Sequence, residues 1–159
     1  MGNYLTLVDR KYDIISSEPS YPVDQGFSHL FSKEFFELAK KRLNENGVYC
    51  QWIPTYLFTE EQMAMILKTF TTVFPNTTVW GVKDLEILFV GMAGDKPQPV
   101  DDMKQRVDGW LKGQGVEPEY SLYVKSEEIE KATSGYTGSI NTDDTPVLEF
   151  YAARNMLVR

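Results

Sequence analysis

Glu18 is the residue best placed to do chemistry. It follows Tyr12-Asp13-Ile14-Ile15-Ser16-Ser17, a run that reads as a buried strand, and it precedes Pro19-Ser20-Tyr21-Pro22, whose prolines stop a strand or helix from running on. A carboxylate at a strand's carboxyl end, on a stiffened loop, stands where open α/β sheets bind ligands. It can take a proton or hold a cation. The same local pattern also describes an ordinary strand and turn with a solvated acid.

Other chemistry-bearing residues carry a bland reading beside the functional one. His29, the single histidine, lies in a loop leading to a helix and reads as a surface or capping residue more readily than as a catalyst. Asp143 and Asp144 either add an acidic rim or form an Asx turn, and the turn is the simpler reading. Trp52, Trp80 and Trp110 read as core or interface aromatics. Cys50 is the only cysteine, so an internal disulfide and a multi-thiolate metal site are excluded, and its apolar surroundings suggest a small buried hydrophobe. No metal site is expected from the acids alone.

These residues need elements to position them, and strands alternate with helices along the chain. After the first strand, Ser32 reads as an N-cap with Phe31 and Phe36 as a hydrophobic staple. Phe35, Phe36, Ala39 and Leu43 then make one apolar face up to Asn46-Gly47. A strand over Gly47–Ile53 follows. Thr59 and Gln62 form a capping box before Met63, Ile66, Leu67, Phe70 and Phe74, and Pro75 closes that helix. Thr77–Val82 and Glu86–Met92 read as an antiparallel pair turning near Lys83-Asp84. Met103, Val107, Trp110 and Leu111 mark a helix ending at Gly113, and a short helix is expected over Ser126–Ala132. Ser134–Asp144 reads as a mobile loop, and Val147–Tyr151 as an edge strand.

The 159 residues suit one domain with a sizeable core. A net charge of -7 argues against a nucleic-acid partner and is compatible with a cationic one. There is no signal-peptide pattern, and no run approaches the roughly 20 apolar residues of a membrane span, so a cytoplasmic domain is expected. The glycine-rich strand-to-helix turn that lets backbone approach a nucleotide is missing. Gly113-Gln114-Gly115 follows a helix and reads as its C-terminal cap.

Three stretches in register resemble the spermidine/spermine synthase (polyamine aminopropyltransferase) family. They are Ser17-Glu18-Pro19-Ser20 with Pro22, Leu30-Phe31 with Glu34-Phe35-Phe36, and Asn141-Thr142-Asp143-Asp144 with Pro146 and Leu148-Glu149-Phe150. The likeness is nearest to a bacterial branch often fused to membrane segments. It implies an α/β fold: the C-terminal half of a Rossmann-like, methyltransferase-type sheet, with the first three strands of seven, the glycine-rich turn and a small β domain lying upstream of Asn3. The 159 residues are then a single truncated domain.

The resemblance also implies a reaction. An aminopropyl group passes from decarboxylated S-adenosylmethionine, a co-substrate of the intact parent, to an amine or polyamine, with no cofactor held by this part. Glu18 aligns with the aspartate that deprotonates and binds the amine. Tyr21 stands where the spermidine synthases proper carry a second aspartate, which changes the amine anchor. Gln51 falls near a pocket glutamine, or else makes a structural hydrogen bond, and Tyr56 is either an amine-facing wall or a loop aromatic. Alone, this part is expected to be inactive. The alternative is a non-catalytic scaffold or association module. An edge left at Tyr12–Ser17 predicts a homo-oligomer through residues 3–17, unless residues 3–11 fold back over that edge.

Overall fold

The computed structural model describes residues 2–19, 27–83, 86–94, 100–117, 122–124 and 126–148. Five strands form one mixed sheet, β1 (Tyr12–Ser17), β2 (Leu43–Pro54), β3 (Thr77–Lys83), β4 (Glu86–Met92) and β5 (Leu122–Val124), in the order β1-β2-β4-β3-β5. β1 and β2 are parallel, and every other pairing is antiparallel. The helices are α1 (Gly2–Leu7), α2 (Lys33–Lys41), α3 (Glu60–Val73), α4 (Val100–Gly113) and α5 (Ser126–Thr133). α2 links β1 to β2, as a parallel pair requires. Among the described residues, no helix is long and apolar enough to cross a membrane.

Local chemistry explains the helix starts. The Ser32 hydroxyl accepts from Phe35 N–H at 3.2 Å, and the flanking Phe31 and Phe36 are both fully buried. Thr59 and Gln62 form the capping box in both directions, at 2.8 Å and 3.3 Å. α4 ends in a Schellman turn: Gly115 has φ 72°, and Val116 N–H donates to Leu111 C=O at 2.9 Å.

The core is aromatic. Tyr49 stacks on Phe74 with centroids 5.5 Å apart, Phe36 meets Phe70 edge-on at 5.0 Å, and Phe89 meets Phe70 at 5.5 Å. Each such pair adds about 0.5–1.5 kcal/mol beyond the area it buries. Gly91 of β4 makes room for this cluster, since a Cβ there would lie 2.6 Å from Phe74 Cβ. α3 touches both α2 and α5, and the three cover the sheet face carrying Tyr49, Gln51, Ile53, Val79 and Phe89. The opposite face, with Val48, Cys50, Trp52, Trp80, Leu88 and Val90, is half-buried.

Several expectations are corrected. β1 stands at an edge, as expected, but is not a buried strand there: Ile14 is 68% exposed. α2 stops at Lys41 instead of Asn46-Gly47, because Tyr12 N–H takes Arg42 C=O and the chain enters β2 at Leu43. The α3 stripe is turned so that Met65, Thr69 and Val73 are buried with Ile66 and Phe70, while Met63 and Leu67 are only partly covered. Trp110 is exposed and not a core residue. α1 and β5 have no counterpart in the sequence reading. Residues 147–148 form a helical turn and not a strand, and 149–151 lie outside the described residues. The Lys83-Asp84 turn falls partly outside them as well.

Candidate functional site

β1 and β2 run parallel, so their carboxyl ends lie at the same end of the sheet, and the candidate residues cluster there by topology. Glu18 is the first residue past β1 and is exposed, between a buried Ser17 and a buried Pro19. Tyr56 follows β2 in a short 3-10 turn, Thr55–Leu57, and is 52% exposed. Tyr21 lies outside the described residues.

Gln51 has no exposed surface and sits directly across from Ser17 in the β1–β2 register. Its Oε1 accepts from the Tyr49 hydroxyl at 2.6 Å. Its Nε2 donates to Trp52 C=O at 3.1 Å and, at 3.4 Å, to Ser17 C=O. Burial pushes the Tyr49 phenol well above its ordinary range, so it stays a donor at neutral pH. The amide of Gln51 thus ties the strand end that carries Glu18 to the aromatic core. Burial likewise raises the Cys50 thiol, which stays protonated.

A second set of residues comes to the amino terminus of α2, which also lies at this end because α2 runs back along the sheet from β1 to β2. His29 Nδ1 is 3.2 Å from Asp143 Oδ1, and both side chains are about half exposed. Asp143 N–H donates to Glu34 Oε2 at 2.9 Å. In place of the expected Asx turn, the Thr142 hydroxyl accepts from Thr145 N–H at 3.0 Å.

Asn141 is what holds this arrangement, and sequence reasoning missed it. It is fully buried, with all four of its polar groups paired. Its N–H donates to Thr69 Oγ1 at 3.0 Å and its C=O accepts from Lys33 N–H at 3.0 Å. Its Nδ2 donates to Ser28 C=O at 2.9 Å and its Oδ1 accepts from Leu148 N–H at 3.2 Å. The stretch expected to be a mobile loop is therefore anchored at its end to α3, to α2 and to residues 27–31. The available signal was an asparagine between a flexible stretch and an apolar one, where the aspartates beside it drew the functional reading.

Comparison with known proteins gives this geometry a context. The sequence profile described as the spermine/spermidine synthase domain matches residues 1–83. Among solved structures, a probable spermidine synthase from Corynebacterium glutamicum is similar with TM-score 0.63 at 15% identity, covering 88% of this chain and 51% of that one. A spermidine synthase in complex with the transition-state analogue AdoDATO is similar with TM-score 0.52 at 18% identity, covering 87% and 43%. At these identities the likeness is one of fold. The chain spans about half the length of either structure. A search of curated proteins found no match.

Proposed function

The chain belongs to the spermine/spermidine synthase family, and on that premise we propose that its β1–β2 end is the amine side of an aminopropyl-transfer site. The co-substrate is decarboxylated S-adenosylmethionine and the acceptor is an amine. The amine nitrogen attacks the aminopropyl carbon next to the sulfonium, the carbon–sulfur bond breaks, and neutral methylthioadenosine leaves. The proton lost by the nitrogen goes to the carboxylate of Glu18. The remaining ammonium groups of a polyamine are held by the acids at this end, with Tyr56 as a flanking wall, and the resemblance alone assigns Tyr21 as the replaced amine anchor.

One observation supports the reading above the others. Glu18 is an exposed acid whose backbone neighbour, Ser17, is buried and tied through Gln51 and Tyr49 to the core, so the acid is presented from a rigid strand end. Gln51 serves this reading as a positioning residue, because its amide is engaged with the protein. These 159 residues by themselves do not transfer aminopropyl groups, since they carry no glycine-rich turn for the nucleoside.

The test uses a longer chain in which a donor-binding half precedes β1. Glu18→Gln keeps the shape of the side chain but cannot take a proton. It lowers kcat by about 100-fold or more with little change in donor affinity. Unchanged turnover would reduce Glu18 to a loop acid.

A further inference from the structure

His29 is the only histidine of the chain, and the reaction as proposed leaves it without a task. An exposed ion pair contributes little by itself, because two mobile side chains rarely hold one geometry. The backbone beneath this pair is anchored on both sides. His29 lies in the 3-10 turn Phe27–Phe31, and its C=O accepts from the Ser32 N–H at 3.3 Å and from the Ser32 hydroxyl at 2.9 Å. Its neighbour Ser28 is buried, and the Ser28 C=O accepts from Asn141 Nδ2. Asp143 stands two residues past that buried asparagine, with its own N–H fixed on the Glu34 carboxylate. Ring and carboxylate thus meet from positions 114 residues apart, each on a fixed stretch of chain.

The direction of the bond assigns the proton on the ring. A carboxylate only accepts, so Nδ1 carries the hydrogen that points at Asp143 Oδ1. In the neutral ring Nε2 keeps its lone pair, and the carboxylate behind the ring makes that nitrogen the better acceptor. Among the described residues none bonds to Nε2. The surrounding charge says which donor fits it. Asp143 holds the ring, the Glu34 carboxylate holds the Asp143 backbone, Asp144 follows, and Lys33 is drawn away to Glu37 at 3.3 Å. A lone pair amid carboxylates suits a cationic N–H donor, which is an ammonium.

We propose that Nε2 of His29, oriented by Asp143, accepts a hydrogen bond from a second ammonium of the acceptor substrate and so selects polyamines over monoamines. This rests on the amine reading of Glu18, whose strand end leads through residues 19–26 into the turn that carries His29. Glu18 serves the attacking nitrogen, and His29 holds another nitrogen of the same molecule. His29 moves no proton in the reaction.

One histidine gives one set of imidazole signals in nitrogen NMR of the 159-residue chain, so the ring can be followed directly. At about pH 9, where an unperturbed imidazole is neutral, the spectrum shows hydrogen on Nδ1 and none on Nε2. Asp143→Ala keeps the backbone bond to Glu34 but moves the hydrogen to Nε2, the form that water favours. Spermidine shifts the Nε2 signal saturably, and butylamine, with a single ammonium, does not. His29→Ala and Asp143→Ala each weaken spermidine binding by about tenfold, as expected for one hydrogen bond to a charged group, with circular dichroism unchanged and the response at Glu18 retained at higher concentration. A wild-type ring with its hydrogen on Nε2, an Nε2 signal that spermidine leaves unmoved, or an affinity unchanged in both variants overturns the proposal, and a persisting response at Glu18 then leaves the amine reading standing. No response at Glu18 in the wild type removes that reading, and the proposal with it.

Discussion

Asn141 shows how a single buried amide can decide whether a site is assembled. Asn141→Ala removes the buried hydrogen bonds to Ser28 C=O and from Leu148 N–H and leaves the buried Leu148 N–H without its Asn141 acceptor, which costs about 1–3 kcal/mol. We expect Asn141→Ala to lose about 1–3 kcal/mol in urea unfolding and to release the Asp143 backbone from Glu34. A loss within 0.5 kcal/mol (about the scatter of a neutral surface change) would show that the anchor lies elsewhere. Tyr49 gives a second test through pH. The folded state holds its phenolic proton more tightly than the unfolded chain, whose phenol titrates near 10. The stability this contributes is complete below about pH 10 and falls as the pH rises beyond it, by up to about 1.4 kcal/mol per pH unit. Tyr49→Phe should therefore flatten the alkaline decline seen in chemical denaturation above pH 10, while costing stability at neutral pH because Gln51 loses a donor. An identical alkaline slope in both proteins would contradict this account of Tyr49.

At the scale of elements, α3 against β4 is the contact most sensitive to volume. Gly91→Ala would put a methyl within 2.6 Å of Phe74, and overpacking of this kind costs about 1–3 kcal/mol in thermal unfolding. A neutral result would mean that the aromatic cluster yields easily. The same comparison of elements shows what could be read beforehand. The N-caps at Ser32 and Thr59 and the β3–β4 pair were legible, because capping and period-2 alternation depend on residues close in sequence. The end of α2 was not, because its apolar spacing runs on to Leu43 while the stop comes from Tyr12 N–H reaching Arg42 across 30 residues (42 − 12). β5 is three residues long and depends on β3 for its pairing. The position of Glu18, one residue past β1, was legible from the strand-and-proline pattern. Asn141 was hidden because each of its partners is distant, with Ser28 lying 113 positions away.

For the whole molecule, the chain spans about half of the structures it resembles, and among the described residues β1 pairs with β2 at one end of the sheet. The family match covers residues 1–83, and on the proposed reading these residues supply the amine side of the site. The central claim is that this side holds the amine through Glu18. Amide chemical-shift mapping of spermidine binding to the 159-residue chain tests it most directly. The account predicts saturable shifts confined to residues after β1 and after β2, with Glu18 and Tyr56 among them, that vanish in Glu18→Gln. It also predicts no saturable response to methylthioadenosine. Shifts that are absent, that centre elsewhere, or that survive Glu18→Gln would contradict it.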